Sequence, residues 1–197
     1  MIFYQTSEEG QRRWYLKDGT AEPRPVDFFA GLAELQRSQA SQASVPEGKT
    51  LCAPFGGTKI LCVGRNFKHH VEELGNPLPK EPLLFSKPPS SMLEPHGEIV
   101  LPAEFGQIDY EGEMAVLIGT RTRDLHGDAH ALGCVAGVTA AMDITARALQ
   151  KADGQWTRAK GFDTFCPLGP WWVPFSPEWL DASIRTFERI GMVFRLS

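Results

Sequence analysis

The feature that most limits how this chain can fold is the stretch IDYEGEMAVLIG at residues 108–119, which predicts a long β-strand carrying two acids. Side chains alternate faces along a strand, so Glu111 and Glu113 point the same way, about 6 to 7 Å apart, while Met114 and Val116 point the other way. Two carboxylates held together away from water repel each other, and a hard divalent cation between them reverses the sign of that energy. The pattern therefore predicts part of a cation site, with a solvated strand end as the alternative.

Strand signals dominate the chain after residue 57. The runs TKILCVG, LLFSK, EIVLP and CVAGVTAAMDI predict further strands, and helical stretches near 68–75 and 145–152 interrupt them. A doubly wound parallel sheet would need long helices between these strands, and they are scarce. The predicted fold class is therefore α+β, strand-rich, with a mixed sheet.

The first fifty residues predict a small N-terminal segment of their own. MIFYQ predicts a short strand, and VDFFAGLAELQRS predicts an amphipathic helix with apolar residues at helical spacing. The polar stretch SQASQASVPEGKT predicts a linker. We expect two parts, a segment with its linker at 1–50 and a catalytic domain at 51–197.

Charge and cysteine usage narrow the function classes. A formal charge of -4 over 197 residues argues against a nucleic-acid footprint. The four cysteines lie far apart without a C-x-x-C pair, so neither a disulfide framework nor a zinc knuckle is expected. We expect no secretory leader, and the sequence has no apolar run near the ~20 residues that a membrane span needs. We expect a cytoplasmic protein with a small-molecule substrate and no membrane or nucleic-acid partner.

A third acid strengthens the prediction of a cation site. Asp143 ends the second long apolar run, CVAGVTAAMDI, where a strand gives way to a helix. Read alone, such an aspartate is a helix N-cap. Read with Glu111 and Glu113, it completes a three-carboxylate site suited to Mg²⁺ or Mn²⁺, with the remaining positions left to water and substrate oxygens.

Two other patterns suggest catalytic groups. In RNFKHHVEELG, His70 and Glu73 are three residues apart on a predicted helix, so the carboxylate can orient the imidazole as a base that activates water. The alternative is an ordinary surface pair. In GQWTRAKGFDTF, Lys160 lies between aromatic and glycine residues, and its alternative is a solvated loop lysine.

Together these motifs resemble the fumarylacetoacetate hydrolase superfamily. The resemblance runs through GGTKILCVGRNFKHHVEELG, EPLLFSKPPSSML, DYEGEMAVLIG, MDITAR and GQWTRAKGFDTFCPLGPW, which together cover about residues 56–172. It implies a mixed β-sheet roll, usually a homodimer. It also implies metal ligands at Glu111, Glu113 and Asp143, a catalytic His70–Glu73 dyad, an active-site Lys160, and substrate-binding positions at Arg65, Asn66 and Lys87.

The resemblance implies a magnesium-dependent hydrolase that cleaves a C–C bond. The expected substrates are acylpyruvate-type 2-oxo acids, as in aromatic catabolism, and the products are pyruvate and a carboxylic acid. The same site chemistry serves family members that decarboxylate oxaloacetate or isomerise 2-oxo diacids, and the shared motifs do not separate these reactions.

The chain departs from the family pattern after LGPWWVPFS. The family's Thr-Gly-Thr-Pro loop and Pro-Gly-Asp turn are not found there, and we expect the usual C-terminal strands to be missing. The last residues predict a helix with Ser176 as N-cap and Gly191 as its stop, or else a family strand that begins at SIRTF. A non-catalytic family remnant is therefore a further hypothesis.

Overall fold

The computed structural model describes residues 1–45, 47–65 and 79–176. The described chain forms two compact units. The first contains residues 1–56, 115–140 and 169–176, and the second contains residues 57–65, 79–114 and 141–168. The domain boundary that the sequence places near residue 50 stays a prediction.

The first unit is built on an antiparallel sheet in the order β3-β2-β1-β4. Its strands are β1 (Ile2–Glu8), β2 (Gln11–Lys17), β3 (Arg24–Val26) and β4 (Leu51–Cys52). The predicted N-terminal strand and helix are both present, the helix as α1 (Phe28–Arg37). Phe3 of β1 stacks on Trp14 of β2 with ring centroids 4.6 Å apart, and Trp14 lies 4.9 Å from Phe28 of α1. The helix therefore covers the aromatic face of the sheet.

Asp27 caps the N-terminus of α1. Its carboxylate accepts hydrogen bonds from the backbone N–H of Phe29 at 2.9 Å and of Ala30 at 3.3 Å. These two donors have no partner inside the helix, so the cap satisfies them. Leu32 and Leu35 are buried, whereas Phe29 is 73% exposed, so the apolar face predicted for this helix is narrower than its sequence suggests.

Two long strands run through both units. They are β8 (Ile108–Ile118) and β9 (Val135–Ala146), which are neighbours in a sheet of order β11-β9-β8 with β11 (Val173–Pro174). The short helix α2 (Asp128–Leu132) lies between them in sequence. The N–H of Gly119, just after β8, donates to the carbonyl of Cys134, just before β9, at 2.8 Å. Both strands were predicted, because each is a long apolar run with strand alternation.

The second unit holds an antiparallel ribbon and a small apolar core. The ribbon pairs β5 (Ile60–Gly64) with β6 (Leu83–Lys87). The core consists of buried Ile144, Ala146 and Phe165 with half-buried apolar residues around them. The remaining elements are the 3-10 turns at Pro89–Ser91 and Ala103–Phe105, β7 (Met92–Leu93) paired in parallel with β10 (Cys166–Pro167), and the helices α3 (Arg147–Asp153) and α4 (Trp156–Lys160). Parallel and antiparallel pairs together make the fold the strand-rich, mixed α+β type that the sequence predicts.

One predicted strand is wrong. The run EIVLP at 98–102 forms no strand in the structure. The backbone N–H of Val100 donates to the side-chain oxygen of Thr164 at 3.0 Å, and Val100 and Leu101 are both exposed. The helix predicted over 145–152 begins two residues later, at Arg147, because β9 continues to Ala146. The helix predicted at 68–75 and the C-terminal helix or strand beyond Pro177 lie outside the described residues.

Candidate metal centre and active site

Three carboxylates of the second unit meet at one point. Glu111 and Glu113 lie two residues apart on β8, and Asp143 lies near the end of β9. One carboxylate oxygen of each lies within 4.8 Å of the others. Glu113 is 7% exposed, so the solvated strand end given as the alternative for the two glutamates does not describe it, and Asp143 is 3% exposed. Asp143 is also no N-cap, because α3 begins four residues later.

This donor set fits a hard divalent cation. Mg²⁺ and Mn²⁺ prefer oxygen ligands and are held in proteins by a few carboxylates. Three buried or half-buried carboxylates this close together repel one another, so positive charge beside them is favourable, whether it comes from a cation or from the basic side chains described below. In the described part of the chain, the cysteines nearby are poor competing ligands. Burial raises the pKa of Cys62 to about 12 and of Cys166 to about 11, which keeps both thiols protonated near neutral pH.

Two buried lysines share the Asp143 carboxylate. The Lys87 ammonium, at the end of β6, donates to Oδ1 of Asp143 at 2.7 Å and also to the backbone carbonyl of Lys160. The Lys160 ammonium donates to Oδ2 of Asp143, donates to Oγ1 of Thr145 at 2.8 Å, and lies 3.5 Å from Oε2 of Glu111. Lys160 is 2% exposed and ends helix α4, so the solvated loop alternative is excluded for it.

Arg147, which no sequence pattern indicated, bonds two acids of β8. Arg147, the first residue of α3, donates to Asp109 at 2.7 Å, to Glu111 at 2.5 Å and to Gln150 at 3.0 Å. The hydrogen bond from Arg147 holds the pKa of the Asp109 carboxyl below its usual range. Arg147 therefore ties the start of α3 to β8 at the position of a predicted metal ligand.

Two aromatic rings lie against the Lys160 ammonium. The nitrogen lies 5.0 Å from the ring centroid of Phe85 and 5.9 Å from that of Trp156, and the two rings meet edge to face at 5.5 Å. These distances are within the range of a cation–π contact. The Trp156 ring also packs on Gly64 at the end of β5, where an added Cβ would lie 2.4 Å from the ring. Gly64 therefore provides the space that this ring occupies.

The other predicted site residues are only partly visible. Arg65 follows β5 with a positive φ of 54° and is exposed. Asn66, His70 and Glu73 lie outside the described residues, and the catalytic dyad and all three substrate-binding positions stay predictions. Lys87, the third of those positions, is buried and bonded to Asp143.

The family model for the C-terminal part of fumarylacetoacetate (FAA) hydrolase matches residues 59–187, well over half of the chain. The chain belongs to the fumarylacetoacetate hydrolase family. The match includes both long strands and all three carboxylates, so the cluster belongs to the part of the chain that is typical of the family. This confirms the family that the sequence motifs indicate.

Relatives within the family carry different activity names. The chain is 48% identical over 116 residues to "Oxaloacetate tautomerase FAHD1, mitochondrial" of Arabidopsis thaliana, covering 57% of this chain and 52% of the relative. In solved structures it resembles fumarylacetoacetate hydrolase (EaFAH) from Exiguobacterium antarcticum, with a TM-score of 0.68 and 30% identity over 90% of this chain and 69% of the other. It also resembles 5-carboxymethyl-2-hydroxymuconate delta-isomerase from Mycobacterium smegmatis, with a TM-score of 0.67 and 31% identity over 91% and 68%.

These likenesses establish the family but not one reaction. The chain spans about half the length of the curated relatives it matches. The names of the relatives include tautomerase and isomerase as well as hydrolase. Among the described residues, no helix is both long enough and apolar enough to cross a membrane.

Proposed function

We propose that this chain is a divalent-metal-dependent tautomerase or isomerase of 2-oxo diacids, with oxaloacetate as the first substrate to test. The observation that supports this most directly is the meeting of Glu111, Glu113 and Asp143 beside the Lys160 ammonium. The names of the Arabidopsis and Mycobacterium smegmatis relatives support this class of reaction over hydrolysis.

The proposed cofactor is Mg²⁺ or Mn²⁺, held by Glu111, Glu113 and Asp143. When bound, such a cation supplies Lewis-acid polarisation of a 2-oxo group. A keto–enol exchange breaks one C–H bond next to that group and forms one O–H bond on its oxygen. The reaction needs no oxidant, reductant or water, so its requirements are a base, an acid and a stabilised oxyanion.

The protein side chains have separate proposed roles in this exchange. His70, oriented by Glu73, takes the proton from the carbon next to the 2-oxo group at one imidazole nitrogen and delivers it to the 2-oxo oxygen, and the reverse transfer converts enol to keto. Lys160 offsets the negative charge that develops on the substrate oxygen. Its ammonium is suited to this role because it is buried, where a unit charge acts more strongly than in water.

A second reaction, hydrolysis of an acylpyruvate, deserves a direct comparison. The matching family model and the Exiguobacterium antarcticum structure both bear the name of fumarylacetoacetate hydrolase. In that reaction His70 would take a proton from water, and the resulting hydroxide would attack the distal carbonyl. The bond from that carbonyl to the pyruvate methylene would break, and protonation of the methylene would give pyruvate beside a carboxylic acid. Both reactions use the same carboxylates and the same lysine.

The decisive assay follows the ultraviolet absorbance of enol-oxaloacetate as it converts to the keto form. Rates are compared with Mg²⁺, with EDTA, and with the same Mg²⁺ concentration without protein, since the free ion also acts on 2-oxo acids. We expect protein-dependent conversion that is abolished by EDTA and by Glu113→Gln. The conversion should be retained in Glu104→Gln, which makes the same change at an exposed acid. Conversion no faster than in the protein-free control would refute the proposal.

A parallel assay separates the alternatives. Pyruvate is measured with lactate dehydrogenase after incubation with oxaloacetate or with a simple acylpyruvate. Pyruvate from acylpyruvate alone would favour the hydrolase, and pyruvate from oxaloacetate alone would favour a decarboxylase. Ketonisation without pyruvate from either compound is the result expected for the tautomerase.

The assembly and location of the protein are also proposals. We propose a homodimer, to be tested by light scattering on a sizing column. A cytoplasmic location and a role in aromatic catabolism stay predictions from the sequence, and the Arabidopsis relative bears the word mitochondrial in its name.

A further inference from the structure

Lys87 carries a buried positive charge next to a proposed metal ligand. It ends β6 and is 2% exposed. Its ammonium donates to Oδ1 of Asp143 at 2.7 Å and to the backbone carbonyl of Lys160 at the end of α4. The side chain therefore connects three elements, β6, β9 and α4, through two of its hydrogen bonds.

Both oxygens of Asp143 are occupied by lysines. Lys87 donates to Oδ1 and Lys160 donates to Oδ2. A divalent cation that uses Asp143 as a ligand must therefore share this carboxylate with two ammonium groups or displace one of them. Either way it binds against the repulsion of a buried positive charge a few ångström away.

We propose that Lys87 is a positioning residue that weakens and thereby sets the affinity of the site for its divalent cation, and that it does not bind substrate. The inference rests on the proposed function, because it requires that Asp143 is a metal ligand. Lys87 keeps Asp143 aimed into the cluster in the metal-free protein, and its charge opposes the incoming cation.

The two roles of Lys87 have opposite effects on the affinity for the cation, because positioning Asp143 strengthens binding and the positive charge weakens it. The effect of the charge is expected to be the larger. The loss of one buried unit charge a few ångström from the cation removes a repulsion that is large at the low dielectric of a protein interior. Lost positioning is partly compensated, because Lys160 still holds the other oxygen of Asp143. We therefore expect neutral variants of Lys87 to bind Mg²⁺ about tenfold more tightly than the wild type, or tighter still.

The test measures Mg²⁺ affinity without substrate, by isothermal titration calorimetry, with Mn²⁺ electron paramagnetic resonance as a second readout. The variants are Lys87→Met, which removes the charge, and Lys87→Gln, which removes it but can still donate to the Lys160 carbonyl. Lys87→Arg keeps the charge, and Lys151→Met changes an exposed lysine of α3 as the control. Circular dichroism and thermal unfolding check that each variant is folded.

The outcomes separate the inference from its alternatives. The inference is supported if both neutral variants bind Mg²⁺ more tightly while Lys87→Arg and Lys151→Met bind it about as the wild type does. Unchanged Mg²⁺ affinity in folded Lys87→Gln would overturn the inference. If KM for the substrate also rose, the substrate-binding role predicted for Lys87 would be favoured instead. A wild type that binds neither ion overturns both this inference and the metal centre. Tighter binding in the neutral variants without any tautomerase activity would support the inference and refute only the proposed reaction, whereas weaker binding in them would overturn the inference.

Discussion

Replacing Gly64 with alanine should both destabilise the protein and disturb Lys160. An added Cβ at this position would lie 2.4 Å from Trp156 and 3.5 Å from Leu83. Ordinary van der Waals contact begins near 3.4 Å, so the indole must move by roughly 1 Å or the strand must bend. Overpacking of this kind costs about 1–3 kcal/mol, more than the about 0.5–1 kcal/mol that alanine gains over glycine within a strand. The net expected loss is about 1–2 kcal/mol.

The consequence for the site is indirect. Trp156 lies against the Lys160 ammonium, so a displaced ring changes the direction of a group that we propose stabilises developing charge. We expect turnover of the proposed substrate to fall more than tenfold at saturating Mg²⁺, with Mg²⁺ affinity within about threefold of the wild type. Urea unfolding followed by circular dichroism gives the free energy of unfolding, and calorimetry gives the metal affinity.

A double-mutant cycle provides the control for this reasoning. Trp156→Phe removes part of the ring that the new methyl would strike, so adding Gly64→Ala to it should cost much less than adding it to the wild type. An additive pair would mean that the clash is not the cause. A Gly64→Ala protein as stable as the wild type would refute the packing argument itself.

Three further predictions concern other residues. Glu113→Gln should lower Mg²⁺ affinity at least about tenfold, while Glu104→Gln leaves it unchanged, as calorimetry would show. Asp109→Asn should destabilise the protein at pH 7. The hydrogen bond from Arg147 lowers the pKa of Asp109 in the folded protein, so the stability that the ionised carboxylate contributes is present above its unfolded pKa of about 3.9 and is lost as pH falls through the folded pKa. The loss of unfolding free energy in Asp109→Asn, measured in urea, should therefore be larger at pH 7 than at pH 3. Asp27→Ala should cost about 1 kcal/mol of unfolding free energy in urea, through loss of the cap of α1.

The fold was predictable where local pattern and burial agree. The alternation in residues 108–118 and the long apolar run before Asp143 produced both long strands, because these segments are paired on the sheet. The run EIVLP at 98–102 is also mostly apolar but forms no strand. A strand needs a neighbour to bond with, and pairing depends on residues far away in the sequence.

The sequence predicted the acidic residues of the site better than its basic residues. Strand alternation places Glu111 and Glu113 on one face, and their meeting with Asp143 requires only that β8 and β9 be neighbours. The role of Arg147 was missed, although it stands four residues after Asp143 in the motif MDITAR. The aromatic contact on Lys160 and the bond between Lys87 and Asp143 join segments remote in sequence, and no local period encodes them.

The placement of the carboxylates on regular strands has a consequence for tolerance to insertions and deletions. A one-residue deletion in β8 before Glu111 would turn both glutamates to the face now occupied by Tyr110, which is 76% exposed. Residues 120–127, which connect β8 to α2, form no strand or helix and are largely exposed, so they should accept added residues. A length-variant library screened for Mg²⁺ binding should therefore recover variants of that loop and none within β8.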